Sequence, residues 1–160
     1  MEPGGNWRDD SPEQIEAMRL QALRSYLAWG VTTVLDTGSL RADANAFDVY
    51  EEDHPHPEIA FLGPILSPEG GYPAVVLPDF PMVGTADDVR EQFEEWDGLY
   101  RTGVKITFEE GMATRVWPLY SDEVKAAIRE EAEQRDLPLF AHAMSVKEHH
   151  MALDLSLIHI

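Results

Sequence analysis

The sequence of 160 residues predicts an α/β protein in which short strands alternate with amphipathic helices. Two observations support this prediction: runs rich in β-branched residues recur along the chain, and helix-capping patterns precede most of the stretches whose apolar residues have helical spacing. The four predicted strands start at residues 31, 59, 103 and 137. These starts lie roughly 30 to 45 residues apart, which suits strand–helix–strand units and a parallel sheet.

The first predicted element is a helix. Ser11 is a suitable N-cap, Pro12 suits the first helical position, and Gln14 completes a capping box. Apolar residues follow at mostly helical spacing until Gly30, which predicts the end of the helix. The run VTTVLD at 31–36 is rich in β-branched residues and predicts a short buried strand.

The middle of the chain repeats this order. A helical stretch at about 40–52 leads to the second predicted strand at 59–64, and a long loop rich in Pro and Gly (LSPEGGYPAVVLPDFP) follows. A helix is predicted over about 85–101, because Thr85 is a suitable N-cap and acidic residues follow it. The run GVKITF at 103–108 predicts the third strand.

The last third contains two more helix starts and one strand. Ser121 begins a predicted helix, LPLFAH at 137–142 predicts the fourth strand, and Ser145 with Glu148 forms a capping box for a final helix. Four such units can form a small doubly wound sheet or half of an eight-stranded barrel, and periodicity alone does not decide between them. We expect no strand long enough to pair after the last helix.

Composition excludes several functional classes. The chain has 30 acidic and 12 basic residues, a formal net charge of −18, which argues against a surface for nucleic acid or anionic membranes. The absence of cysteine excludes a disulfide scaffold, a thiolate metal site and a cysteine nucleophile. No apolar run approaches the roughly 20 residues of a membrane span, and no signal peptide is visible. We therefore expect a cytoplasmic protein.

Two polar residues are predicted to converge on one face of the sheet. In VKITF, Lys105 and Thr107 alternate with apolar residues that suit a helix layer, so Lys105 is predicted to point to the other side. In LPLFAH the same alternation places His142 on that side, at the carboxyl end of its strand, where such barrels have their active sites. Simpler explanations remain open. Lys105 could reach solvent or pair with Glu109 or Glu110, and His142 could be a hydrogen-bonded core histidine.

Other candidate residues have weaker support. Asp36 could orient a ligand histidine, or it could cap the Thr37-Gly38 turn. The turn containing Tyr72 could line a substrate pocket or be only a flexible turn. Glu109 and Glu110 follow the lysine strand, and we interpret them as a solvated loop.

The remaining histidines are interpreted as non-functional. His54-Pro55-His56 imitates the spacing of a metal-binding pair, but no apolar strand precedes it, and it is predicted to lie in an acidic loop between a helix and a strand, at what would be the amino-terminal end of a barrel. His149 and His150 lie within the predicted last helix and are expected at its surface or in helix packing.

Three segments resemble one enzyme family. The segment GVTTVLDTGS, the strand GVKIT, and the segment EVKAAIREEAEQRDLPLFAHAMSVKEHHMALDL follow in the order and register seen in metal-dependent amidohydrolases, particularly the imidazolonepropionase-like and prolidase-like branch. The resemblance covers nearly all of residues 11–155. Two departures occur: LDT replaces the usual arginine-aspartate dipeptide, and Asp136 stands where glycine is common.

The resemblance implies a partial (β/α)8 TIM-type barrel, about half of the parent domain and roughly its second to fifth strands. It also implies one or two divalent metal ions, usually zinc, with Lys105 as a bridging carboxylated lysine and His142 as a ligand on strand five. The implied reaction is hydrolysis of carbon–nitrogen bonds in small amides or dipeptides by attack of a metal-activated hydroxide.

The same resemblance implies an incomplete site. The family's first pair of histidine ligands is expected upstream of Ser11, and a further histidine and an aspartate are expected beyond residue 155. We therefore expect residues 1–10 to be a flexible segment, 11–155 to form the partial barrel, and 156–160 to be a non-native tail. The chain alone is predicted to have no hydrolase activity and weak metal affinity.

Two alternatives remain open. In the first, the barrel is kept and Lys105 is a Schiff-base nucleophile, which borohydride trapping with a carbonyl substrate would detect. In the second, the chain is a small acidic α/β binding module without catalysis. Such a module would fold cooperatively as a monomer, whereas half of a barrel would expose an apolar sheet edge and aggregate.

Overall fold

The computed structural model describes residues 11–39, 55–77, 79–99, 102–111, 114–155 and 158–159. They form four helices, α1 (Pro12–Ala28), α2 (Ala86–Glu95), α3 (Asp122–Gln134) and α4 (Val146–Asp154). The strands are β1 (Thr33–Asp36), β2 (Glu58–Phe61), β3 (Ser67–Pro68), β4 (Met82–Val83), β5 (Val104–Phe108), β6 (Leu139–Ala143) and β7 (Ile158–His159). The chain divides into two compact units, one of residues 1–34 with 46–59 and the other of 35–45 with 60–160.

Helix α1 in the first unit has the predicted start and end. The Ser11 hydroxyl accepts a hydrogen bond from the Gln14 amide, and the Gln14 side chain accepts one from the Ser11 amide at 2.7 Å. Gly30 follows the helix with φ +80°, and its amide donates to the carbonyl of Leu27 at 2.9 Å. This left-handed conformation suits glycine, which lacks a Cβ.

The three helices of the second unit also begin at their predicted caps. The hydroxyls of Thr85, Ser121 and Ser145 each accept a hydrogen bond from a backbone amide in the first helical turn. Helix α2 ends at Glu95, earlier than the predicted end near residue 101, because a turn with Gly98 at φ +82° follows it. The predicted helix over 40–52 and the segment 1–10 lie outside the described residues.

The strands form short sheets. Strand β1 pairs with β2, β3 with β4, and β6 lies between β5 and β7, with parallel pairing throughout the last two sheets. An isolated parallel bridge between Leu66 and Ile106 links the start of β3 to β5. The architecture is therefore mixed α/β with short parallel sheets, and the described residues form no closed barrel.

The long Pro- and Gly-rich loop and the chain end differ from the prediction. Strands β3 and β4 lie within and just after the stretch that we expected to be a loop. They are two residues each, too short for a periodic pattern to reveal. The expectation that no pairing strand follows the last helix is wrong, since Ile158 pairs with Phe140 of β6.

One hydrophobic core occupies the second unit, between one face of β5 and β6 and the helices α2, α3 and α4. The strands contribute Val104, Ile106, Phe108, Leu139 and Ala141, and the helices contribute residues including Val89, Phe93, Val124, Ile128 and Ala152. The prediction that the apolar strand face packs against helices is therefore confirmed. None of the described helices is long and apolar enough to cross a bilayer.

Candidate metal centre

The side of β5 and β6 opposite the core carries the candidate site. Lys105 is in register with Phe140, and Thr107 is in register with His142. Side chains alternate along a strand, so Lys105, Thr107 and His142 share one face. Strand spacing and rise place the Cα atoms of Lys105 and His142 roughly 8 Å apart, a distance that the long lysine side chain can span.

Lys105 is a buried lysine. It is 7% exposed, and among the described residues its ammonium group has no hydrogen-bond or ion-pair partner. Burial lowers the pKa of Lys105 from its ordinary value of 10.5, because the charged form loses hydration. Glu109 contacts His142 and Glu110 pairs with Lys147, so neither of the two expected carboxylates neutralises Lys105.

His142 lies between a carboxylate and an aromatic ring. Its Nε2 atom lies 3.1 Å from Oε2 of Glu109. On another side, the centre of its ring lies 5.5 Å from that of Tyr72. Its side chain is 33% exposed, and its Nδ1 atom has no partner among the described residues. His142 is therefore hydrogen-bonded, as the simple alternative expects, and only partly buried, and its role as a metal ligand stays a prediction.

Glu109 corrects one sequence interpretation. We expected it in a solvated loop, but it is 5% exposed, whereas the side chain of Glu110 is 38% exposed. Its second carboxylate oxygen accepts a hydrogen bond of 3.2 Å from the Gly111 amide. A signal was present in the sequence, because a carboxylate just after an apolar strand lies at the sheet edge where α/β proteins bind ligands.

The loop that contains Tyr72 is hydrogen-bonded to the same face of β5. The Thr107 hydroxyl donates a hydrogen bond of 2.5 Å to the carbonyl of Tyr72, and Thr107 is 1% exposed. The Tyr72 ring stacks on Trp117, with 5.3 Å between the ring centres. The turn containing Tyr72 is thus held beside His142, as an aromatic wall of the site.

Ser67 adds an unexpected polar group. It is completely buried, and its hydroxyl oxygen has no hydrogen-bond partner within the described part of the chain. The preceding residue, Leu66, belongs to the core and bridges to Ile106, so alternation places Ser67 on the side of Lys105 and Thr107. A buried unsatisfied hydroxyl is rare and costly, and here it lies on a face with an unpaired lysine.

The hydroxyl of Tyr120 links the backbone of Thr107 in β5 to that of Leu66, the residue before β3. Its buried hydroxyl donates a hydrogen bond of 2.5 Å to the carbonyl of Leu66. The same oxygen accepts one of 3.4 Å from the amide of Thr107. Burial raises the pKa of Tyr120 above its ordinary value of 10.0, and the contact with Thr107 only partly opposes this.

Asp36 caps a turn. Its two carboxylate oxygens accept hydrogen bonds from the Gly38 amide at 2.9 Å and the Ser39 hydroxyl at 2.7 Å. This is the turn-capping alternative that the sequence left open. No contact of Asp36 with Lys105 or His142 occurs among the described residues, and its role in orienting a ligand stays a prediction.

Two of the other histidines, His56 and His149, have local partners. His56 contacts the carbonyl of the adjacent Pro57, and His54 lies outside the described residues. The exposed His149 contacts the carbonyl of Ser145, four residues earlier in its helix. Both observed contacts fit the interpretation that these histidines do not form the site.

The donor set fits part of a metal centre. Within the described ranges, no cluster of three or more His, Asp and Glu could hold a metal ion on its own. Among the described residues this face nevertheless carries three groups without a partner, the Lys105 amine, the Ser67 hydroxyl and Nδ1 of His142, and an imidazole nitrogen is a common zinc ligand. This set could supply some of the ligands and would need others.

Comparison with solved structures identifies the fold. A Xaa-Pro dipeptidase with bound methionine in its active site is similar with a TM-score of 0.73 and 17% identity. The chain shares its fold with this enzyme over the matched part. An ochratoxinase from A. niger is similar with a TM-score of 0.77 and 14% identity, and an amidohydrolase is similar with a TM-score of 0.69 and 22% identity. The resemblance to amidohydrolases and prolidase-like proteins is thereby confirmed at the level of the fold.

The match covers most of this chain and a minority of each similar structure. It spans 92% of this chain and 40% of the dipeptidase, and 98% of this chain and 43% of the ochratoxinase. No protein-family model and no curated protein matches the sequence. The chain therefore spans about two fifths of the length of these amidohydrolase-fold proteins.

Proposed function

We propose that this chain supplies part of the metal centre of a hydrolase that cleaves carbon–nitrogen bonds in small amides or dipeptides. The observation that carries the proposal is the buried Lys105, which has no partner among the described residues and lies on the same face as His142. Structural lysines with such burial normally have a carboxylate partner. An amidohydrolase-type fold that spans a minority of each similar structure supports a partial barrel as the framework of the site.

Lys105 and His142 would hold one or two divalent ions, with zinc as the expected metal. A lowered pKa leaves more of the Lys105 amine neutral, and the neutral amine is the form that reacts with carbon dioxide to give an anionic carbamate. When bound, a divalent ion supplies Lewis-acid activation of water and of the carbonyl group. His142 offers an imidazole nitrogen, a common zinc ligand.

The aromatic wall of Tyr72 and Trp117 would exclude water on one side of His142 and contact the apolar part of the substrate. Small amide-like substrates are consistent with the similar proteins, which include a dipeptidase and a phenylurea hydrolase. We place the protein in the cytoplasm and expect no nucleic-acid or membrane partner, in line with its acidic composition.

Metal binding by the chain tests this proposal. We expect zinc or cobalt to bind weakly, more tightly when bicarbonate is present, and without hydrolase activity. The variants K105A and H142A should each weaken binding at least tenfold, whereas the matched control K147A should not, because Lys147 lies at an exposed ion pair. Binding that is unaffected by both substitutions would contradict the proposal.

The unpaired amine also favours one second candidate function. A desolvated lysine is a good Schiff-base nucleophile, so Lys105 could attack a carbonyl substrate. Borohydride would then trap a covalent adduct that K105A lacks and that chelators do not affect. If the first proposal is correct, no such adduct forms and bicarbonate-dependent metal binding is seen instead.

A further inference from the structure

Glu109 is the carboxylate nearest to the candidate ligand histidine. It follows the last residue of β5 and is 5% exposed, with Oε2 at 3.1 Å from His142 Nε2 and Oε1 at 3.2 Å from the Gly111 amide. A buried carboxylate is costly unless it is hydrogen-bonded. Each of its oxygens therefore has one donor, and the imidazole is the only side-chain partner of Glu109 among the described residues.

This contact determines which nitrogen of His142 carries a proton. A carboxylate can only accept hydrogen bonds, so the nitrogen that faces it, Nε2, must be the donor. In the neutral imidazole the other nitrogen, Nδ1, then has a free lone pair. Among the described residues Nδ1 has no partner, so this lone pair remains available.

The orientation of the ring is restricted on a second side. The Tyr72 ring lies 5.5 Å from that of His142 at an angle of 38°. The carbonyl of Tyr72 is in turn held by the buried Thr107 hydroxyl, which neighbours His142 across the strand pair. A ring held by a carboxylate at one edge and an aromatic ring at a face has little freedom to rotate or flip.

We propose that Glu109 is a positioning residue, which holds His142 with its proton on Nε2 and its Nδ1 lone pair directed to a divalent cation. Carboxylates that accept from the second nitrogen of a ligand histidine orient the ring and increase its basicity. This inference rests on the proposed function, because it requires His142 to be a ligand. It adds a residue whose contact with His142 is observed and which the sequence prediction had placed in a solvated loop.

The hydrogen-bond part of the inference can be tested on the metal-free chain. Nitrogen-15 NMR at about pH 8, where imidazoles are mostly neutral, should show His142 protonated on Nε2 with a slowly exchanging proton. E109A should lose the slow exchange, and E109Q, which keeps an acceptor oxygen, should retain part of it. E110Q is the matched control, because Glu110 pairs with Lys147 and does not contact His142. H142A identifies the signal among the six histidines.

Zinc affinity tests the second part. We expect E109A to weaken binding about 10- to 100-fold, E109Q to weaken it less, and E110Q to leave it unchanged, with H142A giving the background of the other histidines. A proton on Nδ1, or a slow Nε2 proton that persists in E109A, overturns the inference whatever the metal result. Equal zinc affinity of wild type and E109A overturns it while leaving the proposed function intact. No zinc binding by the wild type would overturn both.

Discussion

The Glu148 carboxylate accepts a hydrogen bond of 2.8 Å from the backbone amide of Glu110, which lies two residues beyond the end of β5. The same carboxylate accepts from the amides of Met144 and Ser145, both at 2.7 Å, at the start of α4. One buried side chain therefore joins the carboxyl end of β5 to the loop between β6 and α4. Lys147 forms an exposed ion pair with Glu110 beside this junction.

Glu148→Ala should lower the free energy of unfolding by about 2 kcal/mol, because three backbone donors in part-buried hydrogen bonds lose their acceptor. Urea denaturation measures this loss. Glu123→Ala, an exposed residue in the first turn of α3, should change stability by less than about 0.5 kcal/mol. Equal effects of the two substitutions would show that the junction contributes nothing.

Glu148 also predicts acid sensitivity. Burial alone would raise the pKa of Glu148, but hydrogen bonds from the Glu110, Ser145 and Met144 amides outweigh it, so the pKa is lowered from 4.5. A carboxyl group with a lowered pKa stabilises the folded state above pH 4.5 and loses this contribution as pH falls through the folded-state pKa. The stability difference between wild type and Glu148→Ala should therefore shrink in acid.

Tyr120→Phe should lower the free energy of unfolding by about 1 to 3 kcal/mol. The substitution leaves the carbonyl of Leu66 without its donor and removes the acceptor of the Thr107 amide, both in the buried interior. The exposed Tyr26 provides a matched Tyr→Phe control in α1, where little change is expected. A loss for Tyr120→Phe no larger than that control would contradict this interpretation.

The raised pKa of Tyr120 has a consequence in alkali. The folded state keeps the phenol proton above pH 10.0, where an unfolded tyrosine loses it, so this group makes stability fall as pH rises beyond that value. Wild type should therefore lose more stability than Tyr120→Phe between pH 9 and pH 11, roughly the range around the ordinary tyrosine pKa. Urea midpoints across that range provide the comparison.

Local sequence signals predicted most of the helices and the longer strands. Capping residues such as Ser11 and Ser145 act within a few positions, and alternation in β5 decides which side chains enter the core. The two-residue strands β3 and β4 have no such signal, because their pairing depends on distant backbone. The pairing of β7 with β6 depends in the same way on residues far apart in the sequence.

The site was predictable only in part for a similar reason. Alternation placed Lys105 and His142 on one face, but the acceptor for the His142 ring comes from Glu109, 33 positions away. The position of Ser67 on this face could be predicted only with knowledge of β3. The role of Tyr120 could be predicted only with knowledge of its hydrogen bond to Leu66, 54 positions away. Long-range contacts of this kind produce no periodic pattern of residue types in the sequence.

Asp136 gives a prediction about helix termination. It follows α3 with φ +55°, its amide donates to the carbonyl of Glu133, and the next amide, of Leu137, donates to Ala132. This is the arrangement that Gly30 forms after α1, and it favours glycine. Asp136→Gly should raise the free energy of unfolding by about 0.5 kcal/mol, since it removes left-handed strain at an exposed position.

The control for Asp136→Gly is Glu133→Gly, which places glycine inside α3 at another exposed position. That substitution should destabilise by about 1 kcal/mol. Thermal or urea unfolding of the two variants should therefore give shifts of opposite sign. Shifts of the same sign would mean that the conformation of residue 136 is not under strain.

Lys105→Met should stabilise the metal-free chain, although it removes a proposed ligand. The folded state binds the Lys105 proton less well than the unfolded state does, because burial lowers the pKa from 10.5 and no described carboxylate compensates. Methionine keeps the apolar stem without the charge, so the free energy of unfolding at neutral pH should rise by about 1 kcal/mol. Urea denaturation in buffer free of carbon dioxide measures the gain. Lys147→Met, at an exposed ion pair, should give no comparable gain.

The pH dependence of stability tests whether desolvation of the Lys105 ammonium causes the gain expected for Lys105→Met. Between the lowered folded-state pKa of Lys105 and 10.5, the unfolded chain binds more protons than the folded chain. The free energy of unfolding of the wild type therefore rises with pH in this range, and the cost of burying the charged ammonium disappears. The advantage of Lys105→Met should therefore be largest at neutral pH and vanish as pH approaches 10.5. Bicarbonate with zinc should also reduce the advantage, because a carbamate held by a cation removes the buried positive charge. An advantage that stays constant with pH would exclude the desolvated ammonium as its origin.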